Sequence, residues 1–264
     1  MMGLAERLRK RGRGAGVRII ILLLLLGAIS GCAYIQWKQQ QADNHLNLGM
    51  AYLESAQYHA AMKELLQAEK LMTSDARIHY YLGIAYHGKG LKEKAVAEFG
   101  TALALKPDYS EASNYLGTLY LDMGLWDKAI ESFNRSLSNM LYDTPSVALY
   151  NVGWAYYKKG DYQTAIEKYK EAIIKQPSSA LIPFIEKAMG QASFARGDTE
   201  DAVRHFRRSL EMAPSLVESH FWLGECYGRQ KNFAEAARSY ETVIRMAPET
   251  ELSLRAKSRL EALR

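Results

Sequence analysis

The chain has 264 residues, of which 48% are hydrophobic and 24% charged, and Cys32 and Cys226 are its only cysteines. Two cysteines exclude a disulfide framework and a zinc site built from cysteine pairs. The formal net charge is +5, and residues 1–31 hold six Arg or Lys and one Glu, so the rest of the chain is neutral. A neutral body excludes the basic surface by which nucleic-acid-binding proteins engage phosphates.

The N-terminus has the pattern of an export signal. A basic segment, Met1–Arg18, precedes an apolar run, Ile19–Ile29, that is interrupted only by Gly27. The run is shorter than the about 20 residues of a spanning helix and fits the apolar core of a secretory signal peptide. It leads into Ile29-Ser30-Gly31-Cys32, which resembles a bacterial lipobox. Residues 1–31 are therefore predicted to be a lipoprotein signal peptide and Cys32 to be lipidated.

The alternative is an uncleaved signal anchor in the inner membrane, with the apolar stretch extended through Ala33 and Ile35. In both interpretations the positive end stays in the cytoplasm and the remaining chain is exported. Residues 32–41 are predicted to be the lipidated cysteine and a tether, whose nine residues after Cys32 reach at most about 30 Å when extended. Tyr34, Ile35 and Trp37 would then either rest at the lipid interface or pack on the first repeat helix.

Six glycines recur through the remaining chain: Gly49, Gly83, Gly117, Gly153, Gly190 and Gly224, with spacings of 34, 34, 36, 37 and 34 residues. An alanine follows each glycine after twelve residues, and an aromatic residue or leucine follows after sixteen. Four repeats then end in a proline, at Pro107, Pro177, Pro214 and Pro248. This is the pattern of the tetratricopeptide repeat, a helix–turn–helix unit, in which small residues let two helices approach closely and proline ends the second helix.

The predicted fold is an all-α tetratricopeptide-repeat solenoid. Six helix–turn–helix repeats occupy residues 42–250, and residues 251–264 form a C-terminal capping helix with Leu252, Ala256, Leu260 and Leu263 along one stripe. Stacked repeats bury the apolar faces that one repeat leaves open, and a terminal cap with a polar outer face closes the stack.

Such solenoids bind partners on the concave face, which the first helix of each repeat lines. Residues three before, one after and four after each glycine are predicted to point into this groove. Eleven of these residues, ten of them apolar or aromatic and one a histidine, form the candidate partner-binding site: Leu46, Met50, Leu53, Tyr80, Ile84, His87, Tyr150, Trp154, Tyr157, Phe194 and Phe221. An exposed apolar face favours a protein partner. The alternative for each of these residues is that it packs in the core.

Motifs of catalysis are absent from the sequence. It contains no Gly-rich phosphate loop, no His-Glu-x-x-His, no Cys-x-x-Cys and no nucleophile elbow, so we expect no enzyme activity, no cofactor, no metal site and no small-molecule substrate. His45, His79 and His220 share the repeat position four before the glycine, which indicates a packing role. Cys226 is predicted to be a small buried core residue.

The junction between the third and fourth repeats is the most distinctive stretch. It contains a two-residue insertion, the pair Leu141-Tyr142, Pro145 and then Asn151-Val152-Gly153. Together with the lipobox, the short tether and the six repeats, this junction resembles the type IV pilus pilotin family (PilF/PilW/Tgl-like), which consists of outer-membrane tetratricopeptide lipoproteins. Ala33, where some lipoproteins carry a retaining aspartate, favours the outer membrane.

The resemblance implies a lipid-anchored protein with its repeats in the periplasm. Such a protein binds a segment of the outer-membrane secretin and promotes the localisation and multimer assembly of that secretin. The alternative is a general periplasmic tetratricopeptide scaffold for another envelope complex, which would serve outer-membrane protein assembly, polysaccharide export or cell-wall enzyme recruitment.

Overall fold

The computed structural model describes residue 31 and residues 33–263, and every regular element within them is an α-helix. The predicted signal peptide up to residue 30 and the predicted lipidation site Cys32 lie outside the described residues. The described part of the chain contains no helix that is both long and apolar enough to cross a membrane. The helices belong to two compact units, divided between Pro107 and Asp108.

Within its described residues, the first unit contains two helix pairs. Its elements are α1 (residues 33–54), α2 (Tyr58–Leu71), α3 (Ala76–Gly88) and α4 (Lys92–Leu105). Helix α2 packs on α3, and α3 packs on α4. Leu46, Leu65 and Leu82 meet in one core cluster that joins α1, α2 and α3.

The second unit contains four helix pairs and a final single helix. Its elements are α5 (Ser110–Asp122), α6 (Trp126–Leu137), α7 (Pro145–Lys158), α8 (Tyr162–Lys175), α9 (Ile182–Arg196), α10 (Thr199–Met212), α11 (Val217–Arg229), α12 (Phe233–Met246) and α13 (Glu251–Glu261). Each helix contacts the next, and α5, α7, α9, α11 and α13 also contact one another in that order. These odd-numbered helices therefore form one layer of the unit.

A glycine–aromatic contact closes each helix pair of the second unit. A methyl group built on Gly153 would lie 2.5 Å from Cε1 of Tyr169, and one built on Gly117 would lie 2.6 Å from Cε1 of Phe133. Both rings are fully buried. The residue sixteen positions after the glycine therefore lies flat against the backbone of the first helix, and only glycine leaves room for it. The predicted all-α fold of six helix pairs and a capping helix is confirmed.

The predicted prolines mark the ends of the second helices. Helices α4, α8, α10 and α12 each end two residues before a proline. The residue between the end of the helix and the proline has an extended backbone, and Lys106, for example, has φ −133° and ψ 90°. The reason is that a following proline disfavours the helical region. Met72 in the first repeat has φ −138° and ψ 83° although no proline follows it. Packing alone therefore imposes this conformation, and proline reinforces it.

Residues 33–41 are helical and continue without a break into the rest of α1. The segment predicted as a tether therefore does not reach its extended limit. At 1.5 Å per residue the nine residues span about 13 Å instead of about 30 Å. Ala42 and Leu46, 3% and 2% exposed, hold the following turns of the same helix in the core of the first unit, which explains why the helix is sustained.

Candidate functional site

A cavity of about 480 Å³ opens on the odd-numbered helix layer of the second unit, beside α5 and α7. Its lining residues are Thr118, Leu121, Asp122, Trp126, Tyr150, Asn151, Trp154 and Lys158. Tyr150 and Trp154 of the candidate partner-binding site lie in this wall, together with Thr118 and Leu121, which stand one and four residues after Gly117. The site is therefore built from two consecutive repeats, with the large aromatic side chains supplied by α7 and by the start of α6.

Aromatic contacts hold the α7 side of this cavity in place. The rings of Trp154 and Tyr157 stack at 5.2 Å with an interplanar angle of 12°, and Tyr157 contacts Tyr162 at 5.5 Å. Tyr150 lies 5.6 Å from the buried ring of Tyr169. Since Trp154, Tyr157 and Tyr150 are only partly buried, their outer faces form a preorganised apolar platform. The structure thus brings these three predicted residues together.

Polar groups border the same platform. The Nζ of Lys158 lies 4.6 Å from the centroid of the Trp154 ring, a distance at which a cation is attracted to the ring face. Burial raises the pKa of Tyr150. Burial also raises the pKa of Tyr157, and Tyr162 adds to that effect. Both hydroxyls therefore stay protonated at neutral pH and remain hydrogen-bond donors. The platform can bury an apolar side chain and donate hydrogen bonds to carbonyl or carboxylate oxygens.

A second cavity, of about 520 Å³, lies at the C-terminal end of the same unit. It is lined by Phe194, Glu225, Gly228, Arg229, Tyr240, Arg259, Ala262 and Leu263. The guanidinium of Arg229 lies 3.5 Å from the centroid of the Phe194 ring and donates to the Phe194 carbonyl at 2.8 Å. Glu225 accepts from the Tyr240 hydroxyl at 2.7 Å and pairs with Arg259 at 2.8 Å. The negative charge of Glu225 is thus neutralised within the chain.

Two residues assigned to the groove from the sequence belong to the core instead. Leu46 is 2% exposed and Phe221 is 1% exposed. Phe221 packs on Tyr240 at 5.8 Å, and the guanidinium of Arg255, on the capping helix α13, lies 4.7 Å from its ring. Leu46 packs in the cluster that contains Leu65 and Leu82. Neither side chain presents a surface to a partner, so their assignment to the groove is corrected.

The other nine predicted residues are partly buried. Met50, Leu53, Tyr80, Ile84 and His87 lie on α1 and α3 of the first unit. Within that unit, Tyr80 contacts the Phe99 ring edge-on at 5.9 Å, which repeats the Tyr150–Tyr169 contact of the second unit. Phe194 lines the C-terminal cavity described above.

Sequence reasoning missed Trp126, Lys158 and Arg229 as lining residues. The signal was present: the position nine after the glycine is aromatic at Tyr58, Trp126, Tyr162 and Phe233. The position five after the glycine carries the cations Lys158 and Arg229. The aromatic position is the first residue of the second helix, whereas Lys158 and Arg229 are the last residues of α7 and α11, so both positions fall outside the three offsets used to define the groove.

Two histidines that share the position four before the glycine bond a glutamate within their helix pair. Nδ1 of His79 donates to Glu98 at 2.8 Å, and Nε2 lies 3.1 Å from the Thr73 carbonyl. His45 donates in the same way to Glu64 at 2.8 Å. Among the described residues, no three His, Cys, Asp or Glu side chains are grouped as metal ligands would be.

Profiles described as tetratricopeptide repeat match residues 49–90, 76–109, 108–173 and 187–250, which together exceed half of the chain. Among solved structures, PilW, a widely conserved type IV pilus biogenesis factor, aligns with a TM-score of 0.74 and 21% identity over 82% of this chain and 98% of that chain. PilF of Pseudomonas aeruginosa aligns with a TM-score of 0.71 and 16% identity over 84% and 98%. At these identities the likeness shows a shared fold.

Two curated proteins match shorter stretches. The photosystem I assembly protein Ycf3 of Synechococcus elongatus is 33% identical over 98 residues, which are 33% of this chain and 56% of that protein. Human protein O-mannosyl-transferase TMTC2 is 27% identical over 100 residues, 38% of this chain and 12% of the transferase. This chain therefore spans less than two thirds of either curated relative.

Proposed function

Because this chain belongs to the tetratricopeptide repeat family and has the fold of PilF and PilW, we propose that it is a type IV pilus pilotin. In this proposal it is an outer-membrane lipoprotein that binds a segment of the pilus secretin and promotes the localisation and multimer assembly of that secretin. The observation that supports the proposal most is the extent of the structural match, which takes in 98% of PilF and 98% of PilW. The role is that of a protein-interaction scaffold, without catalysis.

The cavity beside α5 and α7 is the proposed binding site for an apolar secretin segment. Trp154 and Tyr157 offer a stacked surface that is held in one geometry before binding, which lowers the entropy cost of ordering the site. Tyr and Trp in a preformed pocket supply much of the binding energy of many interfaces. The hydroxyl of Tyr150 and the ammonium of Lys158 would bind carbonyl or carboxylate groups of the segment and set its orientation.

The proposed anchor is the lipid on Cys32. Each acyl CH₂ group that is buried contributes about 0.8 kcal/mol, so two or more chains hold a protein at a membrane essentially permanently. A helical connection of about 13 Å then keeps the repeats close to the membrane in which the secretin assembles. A periplasmic scaffold for another envelope complex would use the same anchor, and the identity of the bound partner separates the two functions.

A pull-down from detergent-solubilised envelopes tests the partner. The tagged chain, Trp154→Ala and Phe233→Ala are compared, and bound proteins are identified by mass spectrometry. Phe233 is the matched control because its aromatic ring is 51% exposed and lies on α12, outside both cavities. We expect a secretin with the native chain and with Phe233→Ala, and its loss with Trp154→Ala. Capture of a different envelope complex would replace the pilotin proposal by the scaffold function.

The anchor has a separate test. Cys32→Ser should release the chain from the outer membrane and lower the amount of secretin multimer, which is followed by gel electrophoresis without heating. Mass analysis of the mature protein should show an acylated N-terminal Cys32. An N-terminus upstream of Cys32 would favour the uncleaved signal anchor, and normal multimer levels in Cys32→Ser would contradict the requirement for a lipid.

A further inference from the structure

The first turns of α1 carry three exposed apolar side chains. Tyr34, Ile35 and Trp37 are 61%, 60% and 56% exposed, and the rings of Tyr34 and Trp37 stack at 6.0 Å. None of the three side chains belongs to the core of the first unit. Packing on the first repeat, one of the two roles suggested by the sequence, therefore does not account for them.

These side chains form a partial collar that covers about 160° of the circumference at the end of the helix. A helix turns about 100° per residue, so Ile35 lies about 100° to one side of Tyr34 and Trp37 lies about 60° to the other side. A partner docked against the side of α1 would cover a single stripe, with apolar residues repeating every three or four positions. The following residues Lys38 to Gln41 are polar, so the apolar collar is confined to the first turns.

The position of this collar in the chain indicates what covers it. The apolar run Ile19–Ile29 ends five residues before Tyr34, and Cys32 lies two residues before it. Either anchor, an acylated Cys32 or an uncleaved apolar run, would place this collar at the membrane surface. Aromatic side chains concentrate at that depth because one ring edge meets lipid and the other meets water.

We propose that the first turns of α1 are embedded end-on in the membrane interface, with the collar of Tyr34, Ile35 and Trp37 in contact with the lipid. Since α1 is continuous from residue 33 to residue 54 and Leu46 is buried in the first unit, the collar then fixes the orientation of that unit relative to the membrane. The inference rests on the membrane attachment within the proposed function and is independent of the secretin.

The test uses the full chain, purified from membranes and reconstituted in vesicles of phosphatidylethanolamine and phosphatidylglycerol. Trp126, Trp154 and Trp222 are replaced by Phe, so that Trp37 is the only emitter. Acyl chains brominated near the headgroup or near the methyl end report depth by quenching. We expect the shallow label to quench Trp37 strongly. In the matched chain that keeps only Trp154, emission should be unchanged.

A scan along the helix separates the end-on orientation from a flat one. A single tryptophan is placed in turn at residues 34, 35, 37, 38 and 41. End-on insertion predicts that quenching falls steadily from residue 34 to residue 41, whereas a helix lying flat gives quenching that repeats with the helical period. A periodic pattern, or an unquenched Trp37 in chains that sediment with the vesicles, would overturn the inference while the anchor stands. A chain that does not sediment with the vesicles would contradict both the proposed anchor and the proposed collar.

Discussion

Nδ1 of His205 on α10 donates to the carboxylate of Glu186 on α9 at 2.7 Å, and this pair is the reverse of the His79–Glu98 pair in the second repeat. In repeats one and two, histidine stands four residues before the glycine and glutamate fifteen residues after it. In repeat five the two types are exchanged between the same positions. These repeats therefore share the hydrogen bond between the two helices, but they differ in which helix carries the histidine and which carries the glutamate.

We predict that exchanging the fifth-repeat pair is tolerated. Glu186→His alone and His205→Glu alone should each lower the free energy of unfolding by about 1–3 kcal/mol, because a buried polar group loses its partner. The double variant should recover most of that loss, since it recreates the arrangement of the first two repeats. Urea unfolding followed by circular dichroism measures the coupling between the two sites. A double variant whose loss equals the sum of the two single losses would show that the pair does not act as a unit.

Gly153→Ala should destabilise the chain by about 1–3 kcal/mol. The added methyl group would lie 2.5 Å from Cε1 of Tyr169, and that ring is fully buried and cannot swing away. Gly100→Ala is the control, because a methyl group there meets no atom within 4 Å. On α4 the control change should stabilise by about 0.5–1 kcal/mol through lower backbone entropy of the unfolded chain. Thermal unfolding should thus shift in opposite directions for the two variants.

The stabilising effect of His79 should depend on pH. The hydrogen bond to Glu98 raises the pKa of His79 above its ordinary value of 6.5, burial opposes that rise, and the Thr73 carbonyl and the charges of Glu98 and Glu69 add to it. A raised pKa in the folded state favours the folded protein below the unfolded pKa of about 6.5, and this stabilisation is lost as the pH rises through the folded pKa. The difference in unfolding free energy between the native chain and His79→Gln should therefore shrink on going from mildly acidic to alkaline pH. A constant difference would contradict this assignment.

Cys226 should be unreactive while the chain is folded. Its side chain is 0% exposed, and burial raises the pKa of its thiol to about 12. The thiolate that attacks disulfides and maleimides is therefore scarce at neutral pH. In a Cys32→Ser background, where Cys226 is the only thiol, labelling should follow the rate of unfolding and become complete in denaturant. Rapid labelling of the native chain would indicate that α11 opens locally.

Trp154→Ala should weaken binding of the partner by about 2 kcal/mol, as expected for an aromatic residue at the centre of an interface. The ring is only partly buried, so the melting temperature should change little. Titration calorimetry with the captured partner, using Phe233→Ala as the control, gives the affinities. Unchanged affinity would contradict a role of Trp154 in binding, and a strong fall in melting temperature would assign Trp154 to the core of the unit.

The sequence alone predicted the helix pairs, their order and the capping helix. That was possible because the contact that closes each pair joins residues sixteen apart in one repeat, such as Gly153 and Tyr169, and therefore recurs as a spacing along the chain. The same local logic identified Tyr150, Trp154 and Tyr157 as neighbours, since residues three or four apart share one face of a helix.

The tertiary structure decided which of the inward-pointing side chains keep an open surface. Phe221 has the same offset from its glycine as Tyr150, yet it is buried because Arg255 of the capping helix lies over its ring, and no repeat-internal spacing encodes that contact. The pairing of Glu186 with His205 also escaped the pattern, because its members exchange places. Periodicity reports which face of a helix a residue occupies, whereas exposure depends on the side chains that neighbouring helices bring to that face.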